Sequence, residues 1–195
     1  MGVVIIKEFI VDFLKNHGIE SNVLEDENMT SVAHYNVKMD TFSFSAKSIT
    51  GMAERYRISI EDCTVIIMSH ELGHYYDNDI QMLTDRIKKL YQELDYKKNT
   101  LMIENEIQKL TKQGENNAWE IGYKFLPEHL KQGYDLFNEN NLEATYYLTL
   151  IKIERWKFRD ERIKLSSDLA RFQKMNTELK IENDTLKVKL LSVNK

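Results

Sequence analysis

Residues 79–113 contain neither glycine nor proline, and within them apolar side chains recur at steps of three and four. Ile80, Leu83, Ile87, Leu90 and Leu94 make one such row, and Ile103, Ile107 and Leu110 make another. A row of this spacing lies along one face of a helix and must be covered by something apolar. Between the two rows the polar run Asp95-Tyr96-Lys97-Lys98-Asn99-Thr100 breaks the phase. The pattern therefore predicts two antiparallel helices joined near 96–100. With one proline and seven glycines in 195 residues, the chain should be mostly helical throughout.

Other segments fill in the class. Ile6, Phe9, Ile10, Phe13 and Leu14 predict a helix over 3–17 that stops at His17-Gly18. Residues 19–28 are polar and read as a loop. From Ser31 to Ser48 the period changes to two, with aromatic and β-branched residues, which predicts two or three short antiparallel strands. Ser59, followed at the third position by Asp62, resembles a capping box and opens a further helix. A last helical stretch is expected from Gly114 to Leu126, before Pro127.

Hydrophobic residues at 42% suffice for a core. The net charge of -4 argues against wholesale nucleic-acid binding. The single cysteine, Cys63, excludes an intrachain disulfide and reads as a buried small hydrophobe. No segment approaches the ~20 apolar residues of a membrane span, and the Val3-Val4-Ile5-Ile6 run is too short for a signal peptide. A cytosolic location is the expectation.

The helix opened by Ser59 carries His70-Glu71-Leu72-Gly73-His74. Two histidines at i and i+4 project from one face, so both imidazoles can reach one Zn²⁺ at ~2.0–2.1 Å. The glutamate at i+1 falls beside the metal as a general base, and zinc lowers the pKa of bound water to about 7. Gly73, lacking a Cβ, allows another backbone to come close. A hydrolytic zinc site needs a third protein ligand. A hairpin that leaves after Asp77 and turns near 96 returns at about 115–120, where Glu115 and Glu120 both lie.

These residues resemble a known family. His-Glu-Leu-Gly-His, followed by Glu115-x-x-Ala118-x-x-x-Gly122-x-x-Phe125-Leu126-Pro127, is similar to the two motifs of the ImmA/IrrE metallopeptidases of bacteria and phages. The similarity spans about residues 30–130, and only the second motif is specific to that family. Gly122 stands where the family has alanine, Pro127 comes one position early, and the insertion between the motifs is long. The resemblance implies an α+β, zincin-like fold and makes Glu115, rather than Glu120, the third zinc ligand. It also implies cleavage of a repressor or other regulatory protein of a phage or mobile element, in a bacterial or phage-infected cytosol.

Other polar residues have plainer readings. His34 is expected to be a hydrogen-bonded strand residue and His129 a surface one. Tyr123, Tyr146 and Tyr147 are candidates for an oxyanion donor, with packing as the simpler role. The strand Thr41–Ser45 offers backbone to an extended substrate.

The C-terminal region carries a heptad pattern. Ile151, Phe158, Leu165, Phe172, Leu179, Leu186 and Val193 occupy position d, and Leu148, Arg155, Arg162, Leu169, Asn176, Asn183 and Leu190 occupy position a. Leucine at d with asparagine at a is expected of a parallel two-stranded coiled coil, and the pattern predicts a homodimer over about 163–193. A helix folded back on its own domain, an antiparallel pair and a partner-supplied strand are the competing arrangements. Residues 152–174 hold eight Lys/Arg against four Asp/Glu, but acidic residues interrupt them, so a solvated face is favoured over a DNA contact. The expected organisation is a metallopeptidase-like domain over 1–145, with 79–113 as a helical-hairpin insertion, and a coiled-coil helix over 146–195. The rival function is a non-catalytic, metal-stabilised interaction module.

Overall fold

The computed structural model describes residues 5–95 and 97–193, with side chains to residue 180. The first helix, α1 (Ile6–Asn16), buries Ile6, Ile10 and Leu14 along one stripe. It ends where expected. Gly18 adopts a φ of +74°, its N–H reaches the Lys15 carbonyl, and the Ile19 N–H reaches that of Leu14. This is a Schellman end, closed by contact between two buried residues, Leu14 and Ile19.

Three short strands follow: β1 (Asn22–Glu25), β2 (Ala33–Asn36) and β3 (Thr41–Phe44). Their order in space is β1-β3-β2. β2 and β3 pair antiparallel, as the alternation predicts, but β1 pairs parallel to β3. The sheet is therefore mixed, not antiparallel. β1 falls in the segment read as a loop, because it is largely exposed and has no alternating pattern to betray it. Its parallel pairing is also a long-range event that local periodicity does not encode. The strand region ends sooner than expected: Ser45 caps α2 (Ala46–Tyr56) by accepting the Ser48 N–H at 3.1 Å.

The central helix, α3 (Ile60–Tyr76), starts at Ser59, whose hydroxyl accepts the Asp62 N–H at 2.9 Å. From Ile66 to Gly73 every residue is buried, so α3 is surrounded and not amphipathic. Cys63 is fully buried in it and packs against the Ile49 carbonyl.

The predicted hairpin is present as α4 (Ile80–Glu93) and α5 (Leu101–Gly122). Its turn falls within 94–100. The second arm does not stop at Gly114, which is buried in the middle of α5 with Leu83 beside it. The expected separate helix over 114–126 is thus the end of α5 followed by a single 3₁₀ turn, Tyr123–Phe125. After a second 3₁₀ turn at Glu128–Leu130, the chain forms α6 (Lys131–Lys157) and α7 (Arg159–Val193).

The main core joins α1, the sheet, α2, α3 and the start of α6. A smaller core of Leu90, Leu94, Ile107 and Ile153 joins the hairpin to the far half of α6. α6 runs unbroken through residue 145, and Lys157 bonds Glu104 of α5 at 2.8 Å. The architecture is α+β and mostly helical. Among the described residues no helix is long and apolar enough to cross a membrane.

Candidate metal centre

The crossing of α3 and α5 makes the site. A Cβ on Gly73 would overlap the backbone of Ala118, and one on Gly122 would overlap the Ser69 carbonyl and the Tyr134 hydroxyl. Glycine at these two positions lets the two helix backbones touch. The two motifs are therefore one packing unit: Gly73 of the first meets Ala118 of the second. That contact draws Glu115, one turn earlier on α5, over the two histidines.

His70 Nε2 lies 3.4 Å from Glu115 Oε2, and His74 Nε2 lies 3.8 Å from Oε1. The donor atoms of His70, His74 and Glu115 all fall within 4.8 Å of one another. Ligands placed tetrahedrally around zinc at its usual bond lengths stand about 3.3 Å apart, so the three groups fit a single metal ion after small rotamer adjustments. These are the histidines of the motif and the glutamate named by the family resemblance. Glu120, the other carboxylate consistent with spacing, is exposed on α5 away from this cluster.

Electrostatics support the grouping. Burial alone would push the Glu115 carboxyl up and the His70 imidazole down. Their contact prevails, holding the carboxyl down at about 2 and the imidazole above its ordinary range. His74 is pushed down to about 3 by burial and by the charge of His70, which leaves it a neutral imidazole. Glu71 is buried and its carboxyl is pushed up to about 7, first by burial and then by the Glu115 charge, against the pull of His70 and the Tyr35 N–H. A carboxyl poised near neutrality suits a group that must take up and release a proton.

Neighbouring elements orient these side chains. Asn141 of α6 donates its amide to Glu115 Oε2 at 2.7 Å. The Tyr35 N–H of β2 donates to Glu71 Oε2 at 2.7 Å. Trp119 stacks on His70 with ring centroids 4.2 Å apart, and Tyr134 packs edge-on against Trp119. Asp77, at the end of α3, accepts the Asn117 amide at 3.1 Å and fastens α3 to α5 beyond the site. Partners that orient ligands in this way typically control metal affinity by 10–100-fold. An Asn141→Ala chain is expected to fold normally and to bind zinc about tenfold or more weakly; titration against a competing chelator would measure this, and unchanged affinity would remove Asn141 from the site.

Other candidates are placed as follows. His34 is open to solvent on β2 yet crowded enough by protein that desolvation lowers its imidazole pKa; Lys152 lowers it further and Glu115 raises it. It stands at the rim of the site. His129 is on the surface near Asp62, at 3.6 Å. Tyr123, Tyr146 and Tyr147 are exposed. The buried tyrosine near the centre is instead Tyr134, whose hydroxyl is held strongly in its protonated form by burial and then by the Glu71 charge. Strand β3 cannot receive a substrate, because β1 and β2 already pair with both its edges. The sheet edge beside Glu71 belongs to β2, whose Tyr35 N–H is already given to Glu71.

Asn141, Trp119 and Tyr134 escaped the sequence reading. Nothing in α6 marks Asn141, which comes near Glu115 only through the fold. Trp119 carried a signal, since it lies between Ala118 and Gly122 on the face that meets α3. Compared with known proteins, the chain matches no family model, no curated protein and no solved structure.

Proposed function

We propose that this chain is a zinc-dependent metallopeptidase-like regulator of the ImmA/IrrE type, acting on a repressor or another regulatory protein. The observation that carries the reading is the convergence of His70, His74 and Glu115, with the buried Glu71 carboxylate beside them. Two imidazoles and one carboxylate form a ligand set that suits zinc and leaves a fourth position for water or substrate. Bound zinc would supply Lewis-acid polarisation of a carbonyl and a more acidic water. Glu71 would be the base that takes a proton from the attacking water and passes it to the leaving amine. Tyr35 holds the Glu71 carboxylate through its backbone N–H. The outer edge of β2 pairs with no other described strand, and its backbone groups other than the Tyr35 N–H held by Glu71 would be open to an extended polypeptide, which favours a protein over a compact small molecule as substrate.

Two measurements test this reading. Purified wild-type protein should hold one zinc per chain; Glu115→Ala should lose it, and Glu120→Ala should retain it. Incubated with a proteome-derived peptide library, the zinc-loaded chain should generate new termini detectable by mass spectrometry. A chelator should abolish them and added zinc restore them. Loss of zinc from the Glu120 variant alone would overturn the ligand set. Zinc retention without any cleavage would favour the second reading, a metal-stabilised interaction module, for which the exposed apolar stripe of α7 is the supporting feature.

A further inference from the structure

α7 leaves the folded body with its apolar side chains in water. Leu165, Leu169, Phe172 and Leu179 are 61%, 59%, 63% and 53% exposed. All four occupy heptad positions a or d, so they form a single stripe along 165–179. No other described element of the same chain covers it. A contiguous row of exposed large apolar side chains marks an interaction surface, so the stripe calls for an occupant.

The charges flanking the stripe identify one. The g positions are Glu154, Glu161, Asp168 and Met175; the e positions are Arg159, Ser166, Gln173 and Lys180. In sequence the next repeat has Glu182 at g and Lys187 at e, and these side chains, like Asn183, Leu186, Leu190 and Val193, lie outside the described ones. In a parallel, in-register pair, each g residue meets the e residue five positions on in the other helix. From Leu165 onward the meetings are then Asp168 with Gln173, Met175 with Lys180 and Glu182 with Lys187. None sets like charges against each other. In an antiparallel pair g faces g and e faces e, which sets the acids Asp168 and Glu182 on one side of the seam and the bases Lys180 and Lys187 on the other, each facing its own kind. Opposite charges meet only at Glu182 with Lys187, and the parallel pair is the arrangement in which no like charges meet.

Two residues set the limits and the number of strands. Arg162 at a would place two guanidinium groups together, so close pairing begins near Leu165. Asn176 at a satisfies its own amide best against a second asparagine, which favours two strands and a fixed register. Glu154 and Arg159 are held within the chain, by Lys157 and Asp160, whereas the ion pair Lys174 with Glu178 at 3.9 Å lies on the outer face and leaves the described g and e positions from Ser166 to Lys180 without an ion pair. At its other end α7 is anchored: Arg159 stacks over Trp156, which packs on Tyr91 of the hairpin.

We infer that α7 pairs with α7 of a second copy of this chain as a parallel, in-register coiled coil from about Leu165 onward. This places the two metal centres on the same end of the zipper. The inference is independent of whether the metal centre cleaves peptides.

Sedimentation of the full-length wild-type chain at micromolar concentration should give about twice its 23.1 kDa. Phe172→Asp should return it to monomer with its zinc content and core unchanged, since Phe172 touches no core. Leu165→Cys and Leu179→Cys, each made with Cys63→Ala, should both form an interchain disulfide under mild oxidation. An antiparallel pair can bring at most one of these positions to its own counterpart. A monomeric wild-type chain, or cross-linking at one position only, overturns the inference. Should Cys63→Ala fail to fold, the sedimentation of wild type and Phe172→Asp still decides whether copies pair, and spin labels at Leu165→Cys and Leu179→Cys in the Cys63-containing chain decide orientation, because buried Cys63 is shielded from the label.

Discussion

Replacing Glu71 with glutamine is expected to lower peptide cleavage by about 10²–10⁴-fold, the usual contribution of a positioned general base, while leaving zinc content unchanged. Glutamine has the same shape, and its amide oxygen can still accept the Tyr35 N–H that now bonds Glu71 at 2.7 Å. What it lacks is a basic oxygen. The neutral side chain also removes a buried negative charge, so the fold should be at least as stable as before. The measurement compares metal content, thermal midpoint and the rate at which peptides cut by the wild type are cut by the variant. Unimpaired cleavage by a zinc-loaded Glu71→Gln chain would show that Glu71 is not the base. Loss of zinc would show instead that its carboxylate helps to hold the metal.

Gly73→Ala should damage both the fold and the site through a single methyl group. Its Cβ would fall on the backbone of Ala118, which cannot rotate away. α5 must then retreat from α3, and Glu115 retreats with it. Overpacking of this kind costs about 1–3 kcal/mol, or roughly 2–12 °C in melting midpoint for a chain of this size. Zinc affinity should fall as well, because Glu115, the proposed third ligand, is carried by the helix that moves. Gly51→Ala supplies the contrast. Gly51 lies inside α2, and the place its methyl would take has nothing within 4 Å, so alanine there should stabilise by about 0.5–1 kcal/mol. Equal effects at the two glycines would mean that the helix crossing does not depend on Gly73.

Much of this organisation was visible in local patterns. The hairpin showed itself because its two apolar rows fall out of phase at a polar run, and helical period is a local property. The start of α3 was visible in Ser59, since a cap is an interaction between residues three apart. The histidine pair was visible for the same reason: i and i+4 share a face wherever a helix forms. The edges of these readings failed where the deciding contacts were distant. β1 became a strand only by lying against β3, and its parallel direction is set by the path between them. Gly114, a plausible helix end in sequence, is carried through by the packing of α5 against Leu83.

The metal centre divides along the same line. By itself the sequence determined that one helix would present two imidazoles and a carboxylate on a common face, and that a returning helix would bring a further carboxylate near them. It left Glu115 and Glu120 equally eligible by spacing. The tertiary structure brings Glu115 to the histidines and leaves Glu120 exposed, because the contact of Gly73 with Ala118 fixes the rotation of α5 about its axis. It also recruited Asn141 from α6 and the Tyr35 backbone from β2, which no pattern near the motif announces. Residues within a turn of one another are brought together by the helix itself, whereas the rotation of one helix against another is set by side-chain shape at their crossing.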